Sequence, residues 1–148
     1  ITQNIDDLHE RAGSSRVTHL HGELRKLRSS ANPDAIYPID GWEQKLDERA
    51  PDGSLLRPFV VFFGESVPEF DKATRIAATA DIMVVVGTSL AVYPAAMLVR
   101  YAKAGVPIYV VDPGNPDVSM IRNPLTHIKE RGAVGVPQLV EMLKNEYL

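Results

Sequence analysis

Asp81–Leu90 reads DIMVVVGTSL, and Val106–Asp112 reads VPIYVVD. Each is a short apolar run that stops at small or turn-forming residues, Gly87-Thr88-Ser89 in the first and Pro113-Gly114 just after the second. Runs of this length without polar alternation predict strands buried on both faces of a parallel sheet, since crossover helices above and below are what remove both faces from water. Between them, Tyr93–Ala104 carries Ala96, Leu98, Val99 and Ala102 at helical spacing, and Gly105 suits the left-handed stop of a helix. Strand, helix and strand make the crossover unit of an α/β sheet.

Upstream of this unit, the spacing of Phe70, Ala73, Ile76 and Ala77 predicts a helix over Glu69–Thr79. Downstream, Val136-Pro137 opens a predicted helix with Leu139, Val140 and Leu143 in one stripe and Pro137 in the first turn, where its missing N–H costs nothing. Residues 25–57 hold three prolines, two glycines and many charges without sustained periodicity, which reads as a small excursion from the main domain. The expected architecture is α/β: a partial Rossmann-like, doubly wound parallel sheet with helices on both faces, built from residues 1–24 and 58–148, with 25–57 as a separate small module. Neither GxGxxG nor GxxxxGK[ST] occurs. A dinucleotide fold normally opens on such a turn, so the chain is expected to lack the amino-terminal part of its cofactor-binding domain.

Composition narrows the function classes. Of 148 residues, 45% are hydrophobic and 24% charged, the balance of a folded domain. A formal charge of −3 with scattered basic residues leaves no basic stripe for a nucleic-acid backbone, and no apolar run approaches the ~20 residues of a membrane span. The absence of cysteine removes disulfides, thiolate nucleophiles and cysteine-bound zinc, and points to the cytoplasm. His9, His19, His21 and His127 do not form the helical pair of a zinc site, so no metal is expected.

Polar residues recur at the carboxyl ends of the predicted strands: Gln3, Asn4 and Asp6; His21; Thr88 and Ser89; Asp112. Open parallel sheets bind ligands along that edge. Asn4 and Asp6 together can hold a carboxamide, one accepting from its NH₂ and the other donating to its oxygen, while Asp6 alone also reads as the cap of the short helix in DDLHERAG. His21 precedes Gly22, a turn that leaves an imidazole at a strand end, suited to taking a proton from a hydroxyl, though also compatible with a structural histidine. His19, two residues earlier and inside the strand, is the weaker candidate. Gly87-Thr88-Ser89 suits phosphate or ribose oxygens or serves as a plain strand-to-helix turn. Asp112 suits ribose hydroxyls or caps the Pro-Gly turn. Phe62–Glu65 and Ser89–Tyr93 present apolar walls with backbone between them, where an extended peptide could add as a strand; the plainer reading is two core strands with turns.

The ordered blocks TQNIDDLHERAG (Thr2–Gly13), HLHGEL (His19–Leu24), LRPFVVFFGESVP (Leu56–Pro68) and GTSLAVYPAA (Gly87–Ala96), followed by the looser VVDPG (Val110–Gly114), resemble the sirtuin family of NAD-dependent protein lysine deacylases, in its bacterial form. The resemblance covers nearly the whole chain and is weakest over 25–55. It implies that His21 is a general base acting on the nicotinamide ribose. Gln3 and Asn4 would bind that ribose or a nearby water, Asn4 counting with His21 as catalytic. Ile5 and Asp6 would form the nicotinamide pocket. Gly87, Thr88, Ser89, Asp112, Ala133 and Val134 would contact the rest of the cofactor. Val61, Phe63, Gly64, Glu65 and Val92 would border the acyl-lysine channel, with the substrate protein or peptide laid as a strand.

The implied chemistry consumes NAD as a cosubstrate: the acyl oxygen displaces nicotinamide, and His21 then lets the ribose attack, giving free lysine and 2′-O-acyl-ADP-ribose. The setting implied is cytoplasmic and linked to transcriptional regulation. Typical members carry four zinc-binding cysteines in the excursion. None is present, so Trp42, Leu46 and Ile39 are expected to pack a small core in their place. Phe59 stands where many members have histidine, and Asp112 where many have asparagine. Without a preceding cofactor loop, acyl preference is unreadable and the chain alone is expected to bind NAD poorly. Two other readings compete: a non-catalytic module binding ADP-ribose or a peptide, which would not need a base at position 21, and an NAD(P)-dependent oxidoreductase, disfavoured by the missing glycine fingerprint.

Overall fold

The computed structural model describes residues 1–148, which fall into two compact units, Ile1–Glu69 and Phe70–Leu148. In the second unit, β4 (Met83–Val86), β5 (Ile108–Val111) and β6 (Leu125–Ile128) form a parallel sheet in the order β4-β5-β6. Alternate residues of β5 face opposite layers. Ile108 and Val110 pack with Leu90 and with Val99 of a 3₁₀ helix, Ala95–Tyr101. Tyr109 and Val111 pack with Leu139 of α3 (Gly132–Tyr147). Helix α2 (Phe70–Thr79) lies against the 3₁₀ helix, with an edge-to-face contact between Phe70 and Tyr101 at 6.2 Å. Helices therefore cover both faces of a parallel sheet, the α/β, partial Rossmann-like arrangement anticipated from the apolar runs.

Several local expectations need correction. Burial on both faces holds for β5 but not for β4, which pairs on one side only and leaves Val84 and Val86 exposed. The segment after β4 winds as a 3₁₀ rather than an α-helix. At three residues per turn, Ala96 and Val99 stack on one line, and both are buried. Ile76 and Val140 are exposed, so α2 faces inward chiefly through Ala73 and Ala77, and α3 through Val136, Leu139 and Leu143. Helix α3 begins four residues before Val136, which places Pro137 inside it. The two glycines of Gly132–Gly135 disguise the helix in the sequence, yet Gly135 is what lets it approach. A Cβ there would lie 2.5 Å from Val111 Cγ1, so helix-to-strand packing outweighs weak local propensity. Strand β6 was not anticipated; Leu125, Thr126 and His127 are exposed along it, so it carries no apolar run.

In the first unit, β1 (Gly22–Ser29) is the middle strand of an antiparallel sheet between β2 (Ile36–Pro38) and β3 (Leu56–Val60). Leu27, Ala50 and Leu56 form its core, with Tyr37 and Ile39 packed against them. The expected Trp42–Leu46–Ile39 core is thus wrong in two members: Trp42 is 86% and Leu46 100% exposed. Leu27 sits on the central strand between two partners, whereas Trp42 and Leu46 lie in the connection after β2, where no second layer covers them. Leu27→Ala is expected to cost about 2–5 kcal/mol and Trp42→Ala to stay within about 0.5 kcal/mol, read from urea unfolding followed by circular dichroism. Equal losses in both variants would contradict this core.

Candidate functional site

The first unit holds His21 against the backbone of Gln3, the residue before Asn4. Thr2 and His19 form a parallel bridge, with Thr2 N–H donating to the Thr18 carbonyl and Leu20 N–H to the Thr2 carbonyl, both at 2.9 Å. This zips residues 2–5 against 18–24, and the Leu24 N–H closes the far end on the Ile5 carbonyl at 2.7 Å. The half-buried His21 ring places Nδ1 3.1 Å from the Gln3 carbonyl oxygen. A carbonyl can only accept, so Nδ1 carries a hydrogen, and in the neutral ring the lone pair falls on Nε2. No partner occupies Nε2, which leaves it free to take a proton from a substrate. On the other side of His21, its carbonyl accepts from Val61 N–H at 2.9 Å, which sets the segment beyond β3 beside the imidazole.

Asp6 lies one residue ahead of Asp7, the N-cap of α1 (Leu8–Arg11), and its Oδ1 accepts from Leu8 N–H at 3.1 Å. Asn4 is exposed, and its own N–H is held by Thr2 Oγ1 at 3.1 Å. Ile5 is half-buried. Val61, Phe63, Gly64 and Glu65 follow β3 in a turn closed by Glu65 N–H on the Phe62 carbonyl, with Gly64 at φ +87°. The Glu65 carboxylate bridges two partners, Phe62 N–H at 3.0 Å and Arg57 Nη2 at 2.7 Å. The Phe62 N–H, then the Arg57 guanidinium, hold its carboxyl below the usual glutamate range. Arg57 also lies over the Phe62 ring, 5.2 Å from its centroid. Phe63 is left fully exposed at the tip. Arg57 was missed in the sequence because its partner lies eight residues away across a turn, a spacing no strand or helix period marks.

In the second unit, Val86 of β4 pairs with Val111 of β5, so Gly87 and Asp112 leave the sheet side by side at its carboxyl edge. Gly87 adopts φ +63° and donates to the Val111 carbonyl at 3.0 Å. Thr88 Oγ1 and Ser89 Oγ accept from the N–H groups two residues on, at 3.2 and 3.4 Å, leaving both hydroxyl hydrogens to donate elsewhere. Leu90 holds φ 56° while buried, a conformation costing a side-chain-bearing residue about 1–2 kcal/mol that its place in the core sustains. Asp112 Oδ1 caps the turn through Gly114 N–H at 2.7 Å, and the Asp112 carbonyl accepts from His127 Nε2 at 2.9 Å. Ala133 and Val134 are exposed in the first turn of α3, whose start reaches the end of β4, since a Cβ on Gly132 would lie 3.2 Å from Val86 Cγ1. Val92 is exposed, its carbonyl accepting from Ala96 N–H.

The donor set does not fit the cysteine-bound zinc that typical sirtuins carry. The chain has no cysteine, and no three His, Asp or Glu side chains gather as a metal site. No helix is long and apolar enough to cross a membrane.

The profile described as the Sir2 family matches residues 1–94. The chain belongs to the Sir2 family. It is 47% identical over 149 residues to a Bacteroides thetaiotaomicron protein named NAD-dependent protein deacylase, a match covering 97% of this chain and 63% of that one. Among solved structures, it resembles a Sir2 homologue variant in complex with ADP-ribose (36% identity, TM-score 0.81, covering 97% of this chain and 59% of that one). It also resembles Sir2 with a p53 peptide and NAD+ (28% identity, TM-score 0.67, covering 97% and 60%). The chain thus spans about six-tenths of the length of these Sir2 proteins.

Proposed function

We propose that this Sir2-family chain carries the catalytic base and much of the cosubstrate contact set of an NAD-dependent protein lysine deacylase. The observation that carries the reading is the His21 ring, tied through Nδ1–H to the Gln3 carbonyl with Nε2 unoccupied. A binding module has no use for a half-buried imidazole whose Nδ1 is tied to a carbonyl and whose Nε2 is left without a partner. The B. thetaiotaomicron relative's name and the ADP-ribose and peptide complexes of the solved relatives support the same assignment.

In this reading the acyl oxygen of the modified lysine forms a bond to C1′ of the nicotinamide ribose as the bond to nicotinamide breaks. His21 Nε2 accepts the proton of a ribose hydroxyl, whose oxygen attacks the former acyl carbon. One water enters, and lysine, nicotinamide and 2′-O-acyl-ADP-ribose leave. Gln3 and Asn4 order the ribose and water, and Ile5 and Asp6 the nicotinamide. Gly87, Thr88, Ser89, Asp112, Ala133 and Val134 bind the remaining cosubstrate. Preorganised donors of this kind stabilise charge developing on the ribose without reorganisation. Residues 1–24 and 58–148 form the catalytic domain in this proposal and 25–57 an accessory module; the cytoplasmic, transcription-linked setting belongs to it as well.

The test is nicotinamide release from NAD with an acetyl-lysine peptide, using this chain and a chimera joining it to the remainder of the B. thetaiotaomicron relative. Peptide-dependent release by the chimera is expected. ADP-ribose or peptide binding without release would overturn the enzyme in favour of the non-catalytic module. The substrate peptide would lie along Val61–Glu65, with Phe63 against the acyl chain and Arg57 holding the turn through Glu65. Arg57→Ala in the chimera is expected to raise peptide KM about two- to fivefold, the modest worth of a partly exposed ion pair, with kcat unchanged. A fall in kcat alone would remove Arg57 from this role.

A further inference from the structure

His19 differs from His21 in that both of its ring nitrogens are engaged. Nδ1 lies 3.0 Å from the Asn4 carbonyl oxygen and Nε2 2.9 Å from Glu10 Oε1, with the residue 8% exposed. A carbonyl and a carboxylate are both acceptors. A neutral ring would turn a lone pair toward one of them in a buried place, a cost that a second proton removes. Glu10 is a carboxylate on the exposed side of a short helix, not a buried acid able to donate.

The connectivity gives this pair a task. Helix α1 has four residues, none buried, far below the ~12–15 at which an isolated helix is even marginal. Its other side-chain bonds are local: Asp6 with Leu8 N–H, and Arg11 with Asp7 at 4.0 Å. Only His19–Glu10 ties α1 to the segment that bears His21. The two histidines stand at alternate positions and donate to the carbonyls of the consecutive residues Gln3 and Asn4.

We propose that His19, held as a buried imidazolium between Asn4 and Glu10, is a positioning residue that clamps the Gln3–Asp6 segment and α1 and thereby fixes the ring and tautomer of His21. The importance of that tautomer for catalysis rests on the deacylase reading; the clamp does not. The charged groups acting on His19 are Glu10 from α1 and Glu23 from β1, with His9 beside Glu10. Burial is the largest influence and favours the neutral ring, but Glu10, the Asn4 carbonyl and Glu23 outweigh it and raise the pKa above imidazole's ordinary value. Glu10 is lowered, first by the His19 hydrogen bond. The signs set the window. The clamp's contribution is lost as pH rises through the raised pKa of His19, and again as pH falls through the lowered pKa of Glu10.

The test is imidazole nitrogen NMR of this chain, with Glu10→Gln and His19→Gln, as a function of pH, together with amide exchange over Asn4–Leu8. In the unaltered chain, both His19 nitrogens should carry protons to a higher pH than a free imidazole, and His21 should show one tautomer with Nδ1 protonated. In Glu10→Gln, a surface change that leaves the fold intact, His19 should titrate at lower pH, the His21 nitrogens should average toward a tautomer mixture, and exchange over Asn4–Leu8 should rise on the order of tenfold. A neutral His19 at pH 7, or an unchanged His21 signature in Glu10→Gln, would overturn the proposal whether or not His19→Gln folds. No NAD or turnover enters these readouts, so a failed deacylase assay leaves them interpretable.

Discussion

His21→Ala in the chimera is expected to lower kcat/KM for deacylation by about 10²- to 10⁴-fold, the usual worth of a positioned general base, while ADP-ribose binding changes only a few-fold. The asymmetry follows from the ring's geometry. Nδ1–H spends its hydrogen bond on the Gln3 carbonyl, so the working atom is Nε2, and deleting it removes proton transfer without removing a buried packing group. His21→Asn sharpens the point, because its side-chain amide can still donate to Gln3 but offers no basic nitrogen. Both variants should be similarly inactive. Activity retained in His21→Asn would mean that the tie to Gln3, rather than proton acceptance, is what position 21 supplies.

Gly22→Ala is expected to destabilise the first unit by about 2–5 kcal/mol. Two costs add. Gly22 sits at φ +84°, which costs a residue with a Cβ about 1–2 kcal/mol. The added Cβ would also fall inside the Phe59 carbonyl of β3, and overpacking against groups that cannot yield costs about 1–3 kcal/mol. Phe59 cannot give way easily, because Gly22 pairs with Val60 and Val61 N–H is bonded to the His21 carbonyl. The damage should therefore reach the imidazole and the Val61 turn together. Denaturant midpoints and protection of the Val61 amide measure it; a normal midpoint with Val61 still protected would show that the strands can part without loss.

These two neighbours were legible to different degrees. His21 was a candidate because an imidazole before a glycine reads as a strand end, and the HLHGEL block added its role. That Gly22 is irreplaceable for steric reasons was invisible, since the obstructing oxygen belongs to a residue 37 positions later. The same limit explains Asp6 and Asp112. The sequence left capping and ligand binding open for both, and each proves to cap a local N–H with one oxygen, a role that leaves its second oxygen available.

What the amino-acid order determined alone is whatever local periodicity and punctuation encode: the apolar runs of β4 and β5, the helical spacing of α2, and the family blocks in their order; the helix expected to stop at Gly105 instead ends at Tyr101, capped by Ala102. Tertiary structure decided what depends on a distant partner. It exposed Trp42 and Leu46 for want of a covering layer, extended α3 back through Gly132–Gly135 because Val111 needs a close helix, and held Leu90 left-handed in the core. It also separated two histidines that look alike in HLHGEL, giving His19 two acceptors and His21 one. Spacing along a chain reports which face a side chain takes, whereas protonation and strain depend on the atoms that folding brings against it.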